Sequence, residues 1–277
     1  MKVKTLFITN RDDISIEYLI SKLRNFNSDY LRINSDDLNK ISFEINPNGS
    51  YVCNISNNIF ELDSVNTVFF RRIPSKFENS ENDIDAPYLN NERKHFLEGV
   101  FLSLSQAKWI NPMFATQIAE RKIFQLRLAK QFGLIIPKTI VTNNSTKADE
   151  FLKSNESSII KPVSNGLQVL ADKTYSIYTS VIKSTFFENY KREITFETPV
   201  LLQEQIQNKF DIRVIIIGDT IFSVAINKLD KNEVDWRKPE IEKEYSLIQL
   251  PKNLENSLIL YHKHLNLVYS AIDLIQT

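Results

Sequence analysis

Leu201–Ile217, LLQEQIQNKFDIRVIII, limits what this 277-residue chain can fold into more than any other stretch. Leu201–Leu202 reads as the end of a buried strand. Val214–Ile217 reads as the core of the next, closed by the turn dipeptide Gly218-Asp219. Between the two apolar runs lie Glu204, Asp211 and Arg213. Two acids and a base beside buried strands suit a sheet edge that holds a polar ligand. They equally suit a charged hairpin that only faces water. Ile159-Ile160-Lys161-Pro162 bears on that choice, since a lysine there closes an apolar strand some forty positions earlier. Lys122, on a helix earlier still, adds a second cation.

Length allows one large or two modest domains with ample buried core. Lysine plus arginine and aspartate plus glutamate number 34 each. Bulk attraction to nucleic acid or to an anionic membrane is therefore not indicated. Cys53, the sole cysteine, lies in an alternating strand-like run and reads as inert. A single cysteine excludes an intrachain disulfide framework or thiolate metal cluster and fits a reducing cytoplasm. No apolar run reaches membrane-spanning length. Met1–Lys4 leads straight into a strand rather than forming a signal peptide.

Val3–Thr9, a helix carrying Ile16, Leu19, Ile20 and Leu23, and the strand Tyr30–Asn34 form a β-α-β opening that points to a parallel sheet. Ile41–Ile45 and Tyr51–Ile55 flank Asn46-Pro47-Asn48-Gly49, a hairpin signal. Thr67–Phe70 is a strand that exits into Arg71-Arg72. Paired arginines there suit a carboxylate or phosphate, or are simply exposed charges. Asn79–Pro87 reads as a polar loop. Glu92–Gln106 reads as a helix with Phe96, Leu97, Val100, Phe101 and Leu104 inward. A domain boundary is expected near 112–117.

Ile118–Phe132 follows as one amphipathic helix with Ile123, Leu126, Ala129 and Phe132 inward, stopped by Gly133. Strands are expected at Pro137–Val141, Ser158–Lys161, Leu167–Leu170, Tyr175–Val181 and Thr220–Ile226, with a short helix near Ala148–Lys153. Ser164-Asn165-Gly166 is poor in glycine for a phosphate cradle. Leu254–Leu267 reads as a helix and Val268–Ile275 as the last strand. His95 reads as a surface residue. His262 and His264, two apart, do not share a helix face and make no zinc pair.

Taken in order, FFRRIP (69–74), INP (110–112), ERKIFQLRLAKQFGLIIPKTIVTN (120–143), IIKP (159–162), LLQEQIQNKFDIRV (201–214), DWR (235–237) and SAIDLI (270–275) cover most of the chain. Each is weak alone. Together they resemble the ATP-grasp superfamily, nearest to the ligases that cross-link ribosomal peptides (microviridin or graspetide type). The resemblance implies an α/β, ATP-grasp fold. It would have an N-terminal pre-ATP-grasp domain over 1–113 and an ATP-grasp domain over 114–277, with a central part to about 198 and a C-terminal part from about 199.

The implied cofactors are ATP and Mg²⁺. Lys122 and Lys161 would hold phosphates. Gln203, Glu204, Gln205 and Ile206 would line the nucleotide, with Glu204 and Gln205 at the adenine. Asp211 would meet the ribose. Arg213 and Arg237 would meet the transferred phosphoryl group or acyl phosphate, and Asp273 a metal. The implied reaction makes an acyl phosphate and then an ester or amide cross-link in a precursor peptide. A non-catalytic nucleotide- or peptide-binding protein of the same descent stays open beside it. Similar ligases are often homodimers, which no residue here demands. The family carries a Glu-x-Asn metal pair beyond its last strand, so the expectation is a C-terminal part that is incomplete at Thr277. Glu44-Ile45-Asn46 has that pattern, but at a hairpin turn in the N-terminal domain.

Overall fold

The computed structural model describes residues 1–26, 28–35, 37, 40–71, 85–164, 166–170, 173–186, 194–207, 209–230 and 233–277. The chain divides into two compact units, Met1–Met113 and Phe114–Thr277.

In the first unit, strand β1 (Thr5–Thr9) is followed by helix α1 (Ile14–Leu23) and strand β2 (Tyr30–Asn34). Asp13 starts α1 by accepting the Ser15 and Ile16 amides, which the first turn leaves without intrahelical partners. A meander of β3 (Ile41–Ile45), β4 (Tyr51–Ile55) and β5 (Asn58–Glu61) intervenes. β6 (Thr67–Phe70), α2 (Ala86–Ser103) and β7 (Lys108–Ile110) complete the unit. The main sheet runs β2-β1-β6-β7 with every pairing parallel. Alternation along β1 divides the core. Leu6 and Ile8 pack with Leu97, Val100 and Phe101 of α2, and Phe7 packs with Ile16 and Ile20 of α1.

The β3–β4 turn is a hairpin, with Gly49 at φ +85° and its amide donating to the Asn46 carbonyl. The Glu44–Asn46 pattern is therefore turn chemistry. Cys53 is fully buried. Two readings need correction. α2 begins at Ala86, with Pro87 in its first turn, where a missing N–H costs nothing. Phe96 is exposed rather than inward, because Leu97, Val100, Phe101 and Leu104 already fill the buried stripe. Phe96 instead meets the ring of Phe43 edge-on.

The expected single helix is two, α3 (Met113–Ala119), which starts on the last residue of the first unit, and α4 (Lys122–Gln131) in the second. Extended backbone at Arg121 separates them, so Lys122 opens α4. Ile123 is exposed, Leu126 and Phe132 are half-buried, and Leu128 and Ala129 are buried. The stripe is set by packing on Tyr261 and Leu265. Gly133, at φ +70°, ends α4 with paired reverse bonds, Gly133 N–H to Lys130 O and Leu134 N–H to Ala129 O.

β8 (Thr139–Asn144), α5 (Ser145–Lys153), β9 (Ser158–Lys161), the β10–β11 pair (Leu167–Leu170, Lys173–Ser176), β12 (Ser180–Ile182) and β13 (Thr195–Glu204) follow. Tyr175–Val181 is thus not one strand. Its halves belong to different sheets. The central sheet is ordered β12-β9-β13-β8, and α5 covers one face through Ala148 and Leu152.

β14 (Phe210–Ile217), β15 (Thr220–Lys228), β16 (Lys243–Leu247), α6 (Lys252–His264) and β17 (Tyr269–Gln276) complete the chain. Their sheet is ordered β16-β15-β14-β17, and Val214, Ile216 and Leu258 lie in its core. β13 and β14 therefore end up in separate sheets, so Leu201–Ile217 is not a charged hairpin. Among the described residues no helix is long and apolar enough to cross a membrane.

Candidate functional site

The polar residues of the second unit come from seven elements, α4, β8, β9, β13, β14, β15 and β17, and from the β15–β16 connection. Lys161 closes β9, where its strand must stop before Pro162. Its Nζ donates to Gln203 Oε1 of β13 at 2.8 Å. Gln203 Nε2 donates on to Thr139 Oγ1 of β8 at 2.8 Å. Gln203 is buried, so this chain of side chains satisfies it and fixes the ammonium. Lys122 donates from the start of α4 to the carbonyls of Pro162, at 2.5 Å, and Ser164. Burial lowers the pKa of both lysines. The charge of Arg237 lowers both further, and Lys161 acts in the same sense on Lys122. Asp235, Asp273 and Asp211 pull Lys161 back up. Three cations and three acids therefore share one field.

Asp211 and Lys228, from the paired strands β14 and β15, are both buried and stand 3.1 Å apart. The Lys228 Nζ also lies 3.4 Å from the Val234 carbonyl. Asp211 Oδ2 faces the ammonium as an ion pair but has no directed hydrogen bond among the described residues. A buried carboxylate oxygen with spare acceptor capacity suits a hydroxyl donor. Arg213, one strand face along, pairs at 2.7 Å with Asp273 on β17, directly opposite in register. Arg237 lies in the β15–β16 connection. It meets Asp235 through Nε at 2.8 Å and a terminal nitrogen at 2.5 Å. Burial pushes the Asp235 carboxyl up, but bonds from Arg237 and the Thr179 amide outweigh it and hold the pKa at about 2.

At the end of β13, Glu204 Oε1 accepts the Lys138 amide at 2.7 Å, and Gln205 Oε1 accepts Ser157 Oγ at 2.5 Å. Ile206 is half-buried beside them. The crossover from the central sheet to the next therefore begins anchored to the residues that lead into both neighbouring strands, β8 and β9. In the first unit Arg71 Nε stands 3.0 Å from the buried Asp13 carboxylate, to which Thr9 Oγ1 also donates. Arg72 and Asn165 lie outside the described residues.

Lys122, Lys161, Gln203, Asp211, Arg213, Arg237 and Asp273 are linked in this way, and Glu204, Gln205 and Ile206 adjoin them. Sequence reasoning missed Asp235, Lys228 and Thr139. Asp235 repeats the Asp-x-Arg spacing of 211–213 and could have been found by it. Lys228, like Lys161, closes an apolar strand. Thr139 carries no such signal.

Residues 4–117 match the family model of the MvdD pre-ATP grasp domain, and residues 122–238 that of the prokaryotic glutathione synthetase ATP-grasp domain. The glutathione synthetase of Buchnera aphidicola subsp. Baizongia pistaciae (strain Bp) is 34% identical over 105 residues. That is 36% of this chain and 30% of the relative's length. Among solved structures, macrocyclase MdnC bound with precursor peptide MdnA from Microcystis aeruginosa MRC superposes with a TM-score of 0.83. It is 25% identical over 98% of this chain and 87% of that one. A Chryseobacterium gregarium RiPP-associated ATP-grasp ligase in complex with ADP and a leader and core peptide gives 0.77 at 19% identity, over 99% and 85%.

Proposed function

We propose that this chain, which carries an ATP-grasp domain behind a pre-ATP-grasp domain within the mixed α/β ATP-grasp fold, is an ATP-dependent ligase acting on a ribosomally made precursor peptide. The observation that carries the reading is the shared field of Lys122, Lys161 and Arg237 beside Asp211 and Asp273. Counted with Arg213 and Lys228, the cations outnumber Asp211, Asp235 and Asp273 by two, a surplus that suits a polyphosphate.

In this reading Lys122 and Lys161 hold phosphate oxygens as point charges. The Asp211 carboxylate, paired with Lys228 but with acceptor capacity to spare, accepts from ribose. Gln203, Glu204, Gln205 and Ile206 line the base. Asp273 is the acid for Mg²⁺, an ion bound through one or two carboxylates together with phosphates. Arg213 and Arg237 stabilise charge on the transferring group. A substrate carboxylate displaces ADP from the terminal phosphorus and becomes an acyl phosphate. A hydroxyl or amine of the peptide then attacks its carbonyl carbon, releasing phosphate and a proton and closing an ester or amide. Positioning and charge neutralisation suffice, and no side-chain nucleophile takes part. Arg71, with Arg72, contributes a carboxylate-binding edge in the first unit. The balanced charge argues against a nucleic acid partner, a cytoplasmic enzyme fits ATP use, and a homodimer is the state of assembly we would test.

The test pairs binding with chemistry. Mg-ATP and Mg-ADP should each raise the melting temperature. A precursor peptide rich in Ser/Thr and Asp/Glu should then lose one water per ADP released, read by mass spectrometry. Nucleotide binding without peptide-dependent ADP release would leave the binding-only reading in its place.

A further inference from the structure

Asp235 has a construction that simple charge neutralisation does not require. It is 4% exposed, whereas the Arg237 side chain above it is 53% exposed. Its Oδ1 accepts Arg237 Nε at 2.8 Å and the Arg237 amide at 3.2 Å. Its Oδ2 accepts an Arg237 terminal nitrogen at 2.5 Å and the Thr179 amide at 3.1 Å. The guanidinium is thus gripped along one side, which leaves its other terminal nitrogen uncommitted among the described residues.

The Thr179 bond sets where that grip stands. Thr179 directly precedes β12, and β12 pairs with β9, the strand that ends in Lys161. Asp235 therefore ties the β15–β16 connection to the strands of the central sheet. Arg237 is placed at a fixed position relative to Lys161, although the two cations repel. An exposed arginine otherwise loses considerable rotamer freedom on binding. A fork already fixed has lost it beforehand. The carboxylate itself is an anion beside a site for anions, so it contributes nothing attractive to a phosphate.

We propose that Asp235 is a positioning residue for terminal-phosphate recognition: it holds the Arg237 fork beside Lys161, so that the site distinguishes a nucleoside triphosphate from a diphosphate. This rests on the nucleotide reading above.

The test measures Kd for Mg-ADP and Mg-AMPPNP by calorimetry on the full chain. Wild type should bind AMPPNP about tenfold or more tighter than ADP, the value of a charge-assisted contact to the extra phosphate. Asp235→Asn should remove about tenfold of that ratio while ADP affinity holds within about twofold. Arg237→Met should do the same, and the double variant should lose no more than either alone, since the two residues act as one unit. Arg237→Lys is safe for folding because the side chain is half-exposed. It keeps the charge but lacks the fork, so it too should lose the ratio. A parallel loss of ADP and AMPPNP affinity in Asp235→Asn would assign the residue to structure alone and overturn the proposal. So would a ratio retained in Arg237→Lys, or a wild-type ratio of one. Wild type binding neither nucleotide would overturn the nucleotide reading itself, a result distinct from all of these.

Discussion

Replacing Lys161 with methionine should move two observables in opposite directions. The Nζ has Gln203 Oε1 as its only acceptor among the described residues. An ammonium carries three donors, so two remain for phosphate oxygens. Hydrogen bonds to charged groups contribute roughly 1.5–3 kcal/mol each and do not add in full, so nucleotide should bind about 100-fold more weakly to Lys161→Met. With ATP at about 100 times the wild-type Kd, wild type gains about 2.7 kcal/mol and the variant about 0.4 kcal/mol. At roughly 2–4 °C per kcal/mol for a domain of this size, the ATP-induced shift should fall from roughly 5–11 °C to about 1 °C.

Without nucleotide the sign reverses. Burial and then Arg237 lower the Lys161 pKa, so the folded chain binds this proton less readily than the unfolded chain. A lysine of this kind costs stability below its folded pKa, and the cost fades as pH rises from there to the unfolded value. Lys161→Met removes that cost, so the ligand-free melting temperature at neutral pH should hold or rise. Differential scanning fluorimetry at several ATP concentrations reads both effects. A variant that melts lower without ligand yet keeps the full ATP shift would refute the reasoning, because Lys161 would then be a structural residue outside the nucleotide site.

Gly166→Ala places a Cβ 2.5 Å from the Ile177 carbonyl oxygen and 2.9 Å from Pro162 Cγ, at φ +75°. Gly133→Ala has a similar φ of +70° with nothing within 4 Å and should show only the left-handed penalty of about 1–2 kcal/mol. Gly166→Ala should exceed it by about 1 kcal/mol or more, and equal losses by thermal melting would show that the Ile177 contact yields freely. His262 is buried, with Nδ1 2.9 Å from Ser270 Oγ and Nε2 without a partner among the described residues, and burial lowers its pKa. Stability should therefore fall as pH drops from about 6.5 toward the folded value. The loss between neutral and mildly acidic pH should be smaller in His262→Gln. Burial pushes the Cys53 thiol up to about 11, so an aromatic disulfide reagent at mildly alkaline pH should label it only as fast as the chain unfolds.

Local patterns alone carried much of this molecule. The spacing of Ile16, Leu19, Ile20 and Leu23 specifies α1, and Asn46–Gly49 specifies its hairpin. Gly218-Asp219 specifies the β14–β15 turn, because each depends on a few neighbouring dihedrals and one hydrophobic period. The ordered motifs also pointed to the ATP-grasp fold that the family models and superpositions give. What the chain order could not decide was which strand lies beside which. β13 and β14 are consecutive and joined by a short polar segment, yet they belong to different sheets. That separation depends on long-range pairing of β13 with β8 and β9 and of β14 with β17. The exposure of Phe96 and Ile123 was decided in the same way, by which neighbours had already filled the core. Asp235 is the clearest case. In sequence it is an acid in a polar connection. Only the Thr179 amide, 56 positions away and directly before β12, ties it to the central sheet and makes it the anchor of Arg237. Propensity and period act over a few residues, whereas the charge field of this site is a sum over elements that only tertiary packing brings within reach.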